Sequence, residues 1–224
     1  MMTTHQAIGG MTDEELLQRM VNSHAERFGD SFWEFFDAHV WAHVPPNPVV
    51  VDLGCGPGLF LRDLAARYPG VTLHGYDVTP AMIDHARGVE YASRRPTFEV
   101  HDLNAKPLPL PDGSVHLVCM FAVLHVLPEP LPALAEIKRV LAPNGIFLLH
   151  DWIRASLERY LTMRLEGVDE AELEASRKRW FRLFPVHNKY TEDDWRWLLA
   201  EAGFLVPISA QVRRQFRLFV GRPA

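Results

Sequence analysis

Residues 49–61 read VVVDLGCGPGLFL. Three valines lead into Asp52, glycines stand at 54, 56 and 58, and an apolar stretch resumes at Leu59. β-Branched residues favour a buried strand. Glycines reach turn conformations that side chains disfavour. Leu61, Leu64, Ala65 and Tyr68 then share one helical face. The stretch therefore predicts strand, tight turn and helix, and the same rhythm organises the next hundred residues.

Downstream the pattern repeats. Val71–Asp77 reads as a strand, and Thr79 starts a helix reaching about Val89. Thr97–His101 and Val115–Phe121 read as strands, the second introduced by the turn Pro111-Asp112-Gly113. Leu131, Leu134, Ile137 and Leu141 are spaced for a helix face, Pro143-Asn144-Gly145 for a turn, and Ile146–His150 for a strand. Strands alternating with helices imply right-handed crossovers and an α/β fold, doubly wound around a mostly parallel sheet. Residues 47–151 form that core. Residues 1–46 read as a helical extension, with a capping box at Thr12–Glu15 and an aromatic helix from Ser31. Residues 152–190 read as two helices inserted after the fifth strand and joined near Gly167. Residues 191–224 add a helix, capped by Thr191 and ended by Gly203, and a strand hairpin that completes the core.

The chain has 224 residues, a net charge of −5 and a pI near 6.1. Its basic clusters, Arg94-Arg95, Arg177–Arg182 and Arg213-Arg214, are short. That balance speaks against nucleic acid as a partner. Two cysteines do not make a disulfide framework. The first ten residues lack the basic and apolar regions of a signal peptide. The apolar run from Val115 to Pro128 is too short to span a bilayer. The expectation is a cytoplasmic protein without membrane contact, monomer or homodimer.

Three ligands compete for the glycine turn. A Walker loop needs Lys-Ser or Lys-Thr after its last glycine, and here Leu59-Phe60 stands in that place. A dinucleotide fingerprint needs G-x-G-x-x-G, and Asp52 would repel a pyrophosphate. S-adenosylmethionine (SAM) carries an ammonium, a carboxylate and a sulfonium, and no phosphate. Asp52 can attract its ammonium, the following helix N-terminus suits its carboxylate, and Gly54, Gly56 and Gly58 admit its amino-acid tail. Asp77 ends the second strand, where a doubly wound sheet places an acid for ribose hydroxyls. Asp102 comes after the third strand, where it can accept from an adenine amino group.

These residues resemble the class I SAM-dependent methyltransferase family, in its small-molecule branch of type 11. The likeness covers about 48–150 well and the C-terminal part loosely. Val50–Gly58 is similar to the first motif, and Gly75–Met82 to the ribose-binding segment. His101-Asp102-Leu103 is similar to the adenine-binding segment, Asp112–Val118 to the lead-in of the fourth strand, and Glu136–Gly145 to the helix and turn before the fifth. The resemblance implies seven strands in the order 3-2-1-4-5-7-6, with strand 7 antiparallel. It implies SAM as donor and S-adenosylhomocysteine (SAH) as product. Val78, Met82, Leu103 and Phe121 join the three aspartates and glycines as cofactor residues.

For the acceptor, Phe121-Ala122-Val123-Leu124-His125 stands where base-methylating relatives carry Asn- or Asp-Pro-Pro-Tyr, which points away from base N-methylation. Histidine and acidic spacings show no metal site. His125 is the candidate general base, and Asp151 an orienting or helix-capping acid. Trp33, Phe36, Trp152, His187 and Tyr190 are candidate acceptor contacts, with residues 1–46 and 152–190 as a lid. The expected activity is methyl transfer to O, N or C of a small molecule, in secondary, natural-product or cofactor metabolism. Two alternatives stand beside it: an enzyme that cyclises or cleaves SAM to release methylthioadenosine, and a non-catalytic SAM-binding partner subunit.

Overall fold

The computed structural model of the protein describes residues 4–224, apart from the side chains of His5 and Gln6. Residues 1–3 of the expected extension lie outside the described residues. The sheet is built from β1 (Val49–Leu53), β2 (Thr72–Asp77), β3 (Thr97–Val100), β4 (Val115–Phe121), β5 (Leu141–Trp152), β6 (Phe204–Arg213) and β7 (Phe216–Pro223). Its order is β3-β2-β1-β4-β5-β7-β6. Strands β1 to β5 pair parallel, and β7 is antiparallel to both neighbours. This is the order and strand direction that the family resemblance implies. The register levels the carboxyl ends of the central strands: Leu53 faces Tyr76 and Met120, and Phe121 faces His150.

The N-terminal segment gives α1 (His5–Gly9), α2 (Asp13–Asn22), α3 (His24–Arg27) and α4 (Asp30–His39). Thr12 and Glu15 form the capping box: Thr12 N–H donates to Glu15 Oε2 at 2.8 Å, and Glu15 N–H to Thr12 Oγ1 at 3.2 Å. The alternating crossovers are α5 (Leu59–Arg67), α6 (Pro80–Gly88) and α7 (Pro130–Val140). The insertion holds α8 (Leu157–Leu165) and α9 (Glu170–His187), and α10 (Glu192–Glu201) precedes β6. No helix among the described residues is long and apolar enough to cross a membrane.

Two apolar layers sandwich the sheet. On one face Val50, Leu61, Leu64 and Leu117 meet the aromatic side of α4. On the other, Val51, Val118, Ile137, Trp195 and Leu199 form the second core. Each aromatic of α4 that is fully buried contributes roughly 1.5–3 kcal/mol by leaving water. Trp33 and Phe36 belong to that layer. Trp33 stacks on Phe60 at 5.8 Å, and Phe36 meets Phe60 edge-on at 6.1 Å.

One local expectation is corrected. The residues Pro143-Asn144-Gly145, spaced for a turn between helix and strand, lie within β5. Between Val115 and Leu117 of β4, the partner strand advances from Leu141 to Ile146. The surplus residues bulge out, where a proline without an N–H costs the ladder nothing.

Candidate active site

The sheet's carboxyl edge opens into a cavity of about 570 Å³, within the range of small-molecule sites. One half is walled by Gly54, Asp77, Val78, Met82, Leu103 and Asn104. The other half is walled by His125, Trp152, Trp180, His187 and Phe216. Strand order explains the division: β2 and β3 lie on one side of β1 and β4, and β5 and β7 on the other.

The glycine turn is tied down by Tyr76, whose carbonyl accepts from Gly54 N–H at 2.7 Å and Cys55 N–H at 3.0 Å. Gly54 has φ +74°, and a Cβ there would stand 2.2 Å from Val123 Cγ2. Gly56 has φ +51°, and a Cβ there would stand 2.4 Å from Met20 Cε. Gly54 thus demands glycine by dihedral and by space, and Gly56 by dihedral, since the Met20 thioether end can move aside. Gly58 precedes α5, whose first turn carries no side-chain cap. Its N–H groups remain available to an anion.

Asp77 is held by the same turn. Its Oδ2 accepts from Gly56 N–H and its Oδ1 from Thr79 N–H, both at 2.9 Å. The Thr79 hydroxyl and the Val78 N–H also donate to this carboxylate, which lines the cavity. Burial raises its pKa, opposed by those backbone hydrogen bonds. Asp52 stands differently from the expectation that put it at the lip. It is 2% exposed, lies behind the cavity wall, and its Oδ1 has no hydrogen-bond partner among the described residues. Burial, and then the charge of Asp77, push its pKa well up. A nearby cation is what such a group lacks. Asp102 also lies outside the wall, accepting from Asn104 N–H at 2.9 Å, while Leu103 and Asn104 reach the cavity. The cavity, the uncapped helix start and the unsatisfied Asp52 together fit a ligand with SAM's tail and nucleoside.

At the opposite half the chain leaves β4 through Ala122, which has φ +57° and donates to His150 O at 2.8 Å. A non-glycine residue in that region holds roughly 1–3 kcal/mol of strain. The turn lays Val123 over Gly54 and carries His125 to the cavity. His125 Nδ1 lies 2.7 Å from Asp151 Oδ1, and both side chains are sealed from solvent. Asp151 also accepts from His125 N–H at 3.2 Å and Trp152 N–H at 2.7 Å. The fully buried acid therefore holds the histidine's backbone and lies against its ring. Next to it, His187 stacks on Trp152 with centroids 4.1 Å apart, and its Nδ1 lies 2.7 Å from the Tyr160 hydroxyl.

Among the expected contacts, Phe121, Trp152 and His187 line the cavity; Trp33, Phe36 and Tyr190 do not. Trp33 and Phe36 face the sheet because α4 buries its aromatic side there, and Tyr190 packs on Trp195 at 4.6 Å. The N-terminal roof comes instead from α2 and α3, through Leu16, Arg19, Met20, Ser23, Glu26 and Arg27. Those positions keep the helical spacing i, i+3, i+4, i+7, i+10, i+11, a signal present in the sequence but obscured by its mixture of charged and apolar residues. His150 reads from the sequence only as a strand residue. It lines the cavity with its Nε2 lacking a partner among the described residues. Among the described residues no cluster of three or more His, Cys, Asp or Glu is placed for a metal.

Residues 51–149 match the family model described as a methyltransferase domain. The malonyl-[acyl-carrier protein] O-methyltransferase of Halorhodospira halophila is 31% identical over 159 residues, covering 71% of this chain and 49% of its own. The trans-aconitate 2-methyltransferase of Methylobacterium nodulans is 41% identical over 99 residues, covering 43% of this chain and 35% of its own. The chain spans about half the length, or less, of these curated relatives. Among solved structures, a SAM-dependent methyltransferase from Aquifex aeolicus superposes with a TM-score of 0.67 at 18% identity, over 96% of this chain and 100% of that one. That likeness shows the fold.

Proposed function

Because the chain belongs, through residues 51–149, to the class I SAM-dependent methyltransferases, whose cofactor is SAM, we propose that it transfers a methyl group to a small-molecule acceptor. The observation that carries this is the continuity of the cavity. The half walled by Gly54, Asp77 and Leu103 runs into the half that holds His125.

Bound SAM supplies an electrophilic methyl group on a sulfonium. The chain's own residues hold and align. Asp77 takes the ribose hydroxyls, Val78, Met82 and Leu103 pack on the adenine, and the turn before α5 receives the tail carboxylate. Asp52 balances the ammonium charge from behind the loop. His125, held beside Asp151, takes the acceptor's proton, and Asp151 stabilises the imidazolium that results. α2, α3, α8 and α9 form the lid that excludes water and fixes the approach. Trp152 and His187 provide a flat wall for the acceptor.

The space beyond His125 favours this reading over SAM cyclisation, which needs no second substrate. Two buried free thiols suit a reducing compartment, and we assign the protein to the cytoplasm and to small-molecule, including natural-product, metabolism. The test is to incubate the purified protein with SAM, alone and with pooled small acceptors, and to identify products by mass spectrometry. SAH formed only when an acceptor is present supports methyl transfer. Methylthioadenosine formed without one supports cyclisation, and SAH binding without turnover across the pool supports a partner subunit.

A further inference from the structure

The acceptor half of the cavity is lined by an arginine cluster that internal acids leave largely unneutralised. Arg19 comes from α2, Arg27 from α3, Arg164 from α8 and Arg213 from β6. Of the four, Arg213 has a carboxylate partner, Glu26 Oε1 at 2.5 Å. The cavity's other acid on this side, Glu166, is mostly exposed and pairs with Arg214 at 3.3 Å. Arg19, Arg27 and Arg164 have no carboxylate partner among the described residues, and Arg164 Nε is buried without a hydrogen bond. Arg164 lies 4.3 Å from the Trp152 ring centroid and 4.8 Å from that of Trp180, and Arg19 lies 4.6 Å over Trp180.

The aromatic rings position these groups and offset part of their desolvation, by roughly 0.5–2 kcal/mol each. They supply no carboxylate or phosphate oxygen to these groups. Burial, then repulsion from Arg213, brings the pKa of Arg27 down to about 10, and burial leads the same shift at Arg164. Like charges gathered inside a chain of net charge −5 are destabilising unless an anion joins them. Guanidinium groups grip carboxylate or phosphate oxygens in pairs.

We propose that the methyl acceptor is an acid, and that Arg19, Arg27 and Arg164 bind its carboxylate or phosphate group. This rests on the methyl-transfer reading and names the substrate class of that site.

The experiment uses the full chain, with and without saturating SAH. Citrate, a small tricarboxylate, is titrated against sodium chloride at matched ionic strength while the melting temperature is recorded. Wild type should show a saturable rise with citrate, half-complete in the low millimolar range. The Arg27→Gln/Arg164→Gln variant should lose most of that rise, and the Arg27→Lys/Arg164→Lys variant should keep part of it. A citrate response no larger than the chloride response, or an equal response in the Gln variant, overturns the proposal. In turnover, carboxylic acid acceptors should exceed their methyl esters at least tenfold in kcat/KM, the Gln variant losing that margin through KM. Preference for a neutral or cationic acceptor overturns the arginine assignment while SAH release upholds methyl transfer. Failure to bind SAH alongside an intact citrate response overturns methyl transfer and leaves the anion site standing.

Discussion

Nδ1 of His125 and Oδ1 of Asp151 lie 2.7 Å apart, with neither side chain open to solvent. The pair joins the turn after β4 to the last residues of β5, so it connects two elements that wall the cavity. Replacing the acid should therefore act through the histidine. Asp151→Asn and His125→Ala should each lower kcat by about 10²–10⁴-fold, with SAH affinity changed less than threefold by calorimetry. The double variant should be little worse than either single one, as for groups acting as a unit. Additive losses, or undiminished turnover across pH, would remove the pair from the chemistry.

The role proposed for Asp52 predicts opposite effects on cofactor binding and on stability. Its folded pKa is raised above the unfolded value, so its favourable contribution exists at acid pH and is lost as pH rises through the folded value. At neutral pH that raised value is a cost to folding, which a nearby cation would relieve. Asp52→Asn should raise the melting temperature of the ligand-free protein, by about 2–4 °C for each kcal/mol recovered. It should weaken SAH at least fivefold. A variant that melts lower, or binds SAH as wild type does, contradicts the assigned role.

His150 makes the opposite linkage. It is 4% exposed, and burial, then Arg213 and Arg27, push its pKa down to about 3. An unfolded histidine titrates near 6.5. Between those values the unfolded chain binds a proton that the native one refuses, so stability falls as pH falls, by at most about 1.4 kcal/mol per pH unit. Urea midpoints at pH 7.0 and 5.0 should fall farther apart in wild type than in His150→Gln. Equal shifts would mean that the native protein accepts the proton.

The sequence made the sheet legible because β-branched runs, glycine turns and capping residues are local signals. Asp52, the glycines and Asp77 could be placed at strand ends for the same reason. The acceptor half resisted, because its wall gathers residues far apart in the chain. Arg27 and Arg164 come together only through tertiary packing. Trp33 and Phe36 misled, since an aromatic stripe satisfies a core as readily as a ligand. Asp52 lies at a depth that only the register with β2 and β4 reveals.

One short ribbon, Leu16 to Arg27, is the ceiling of both chambers: Met20 overhangs the donor loop, and Arg27 faces the acceptor. On the proposed reading, donor grip and acceptor choice therefore reside in a single piece. Grafting this ribbon from a relative would exchange both traits at once, and tuning one alone would have to work from the floor.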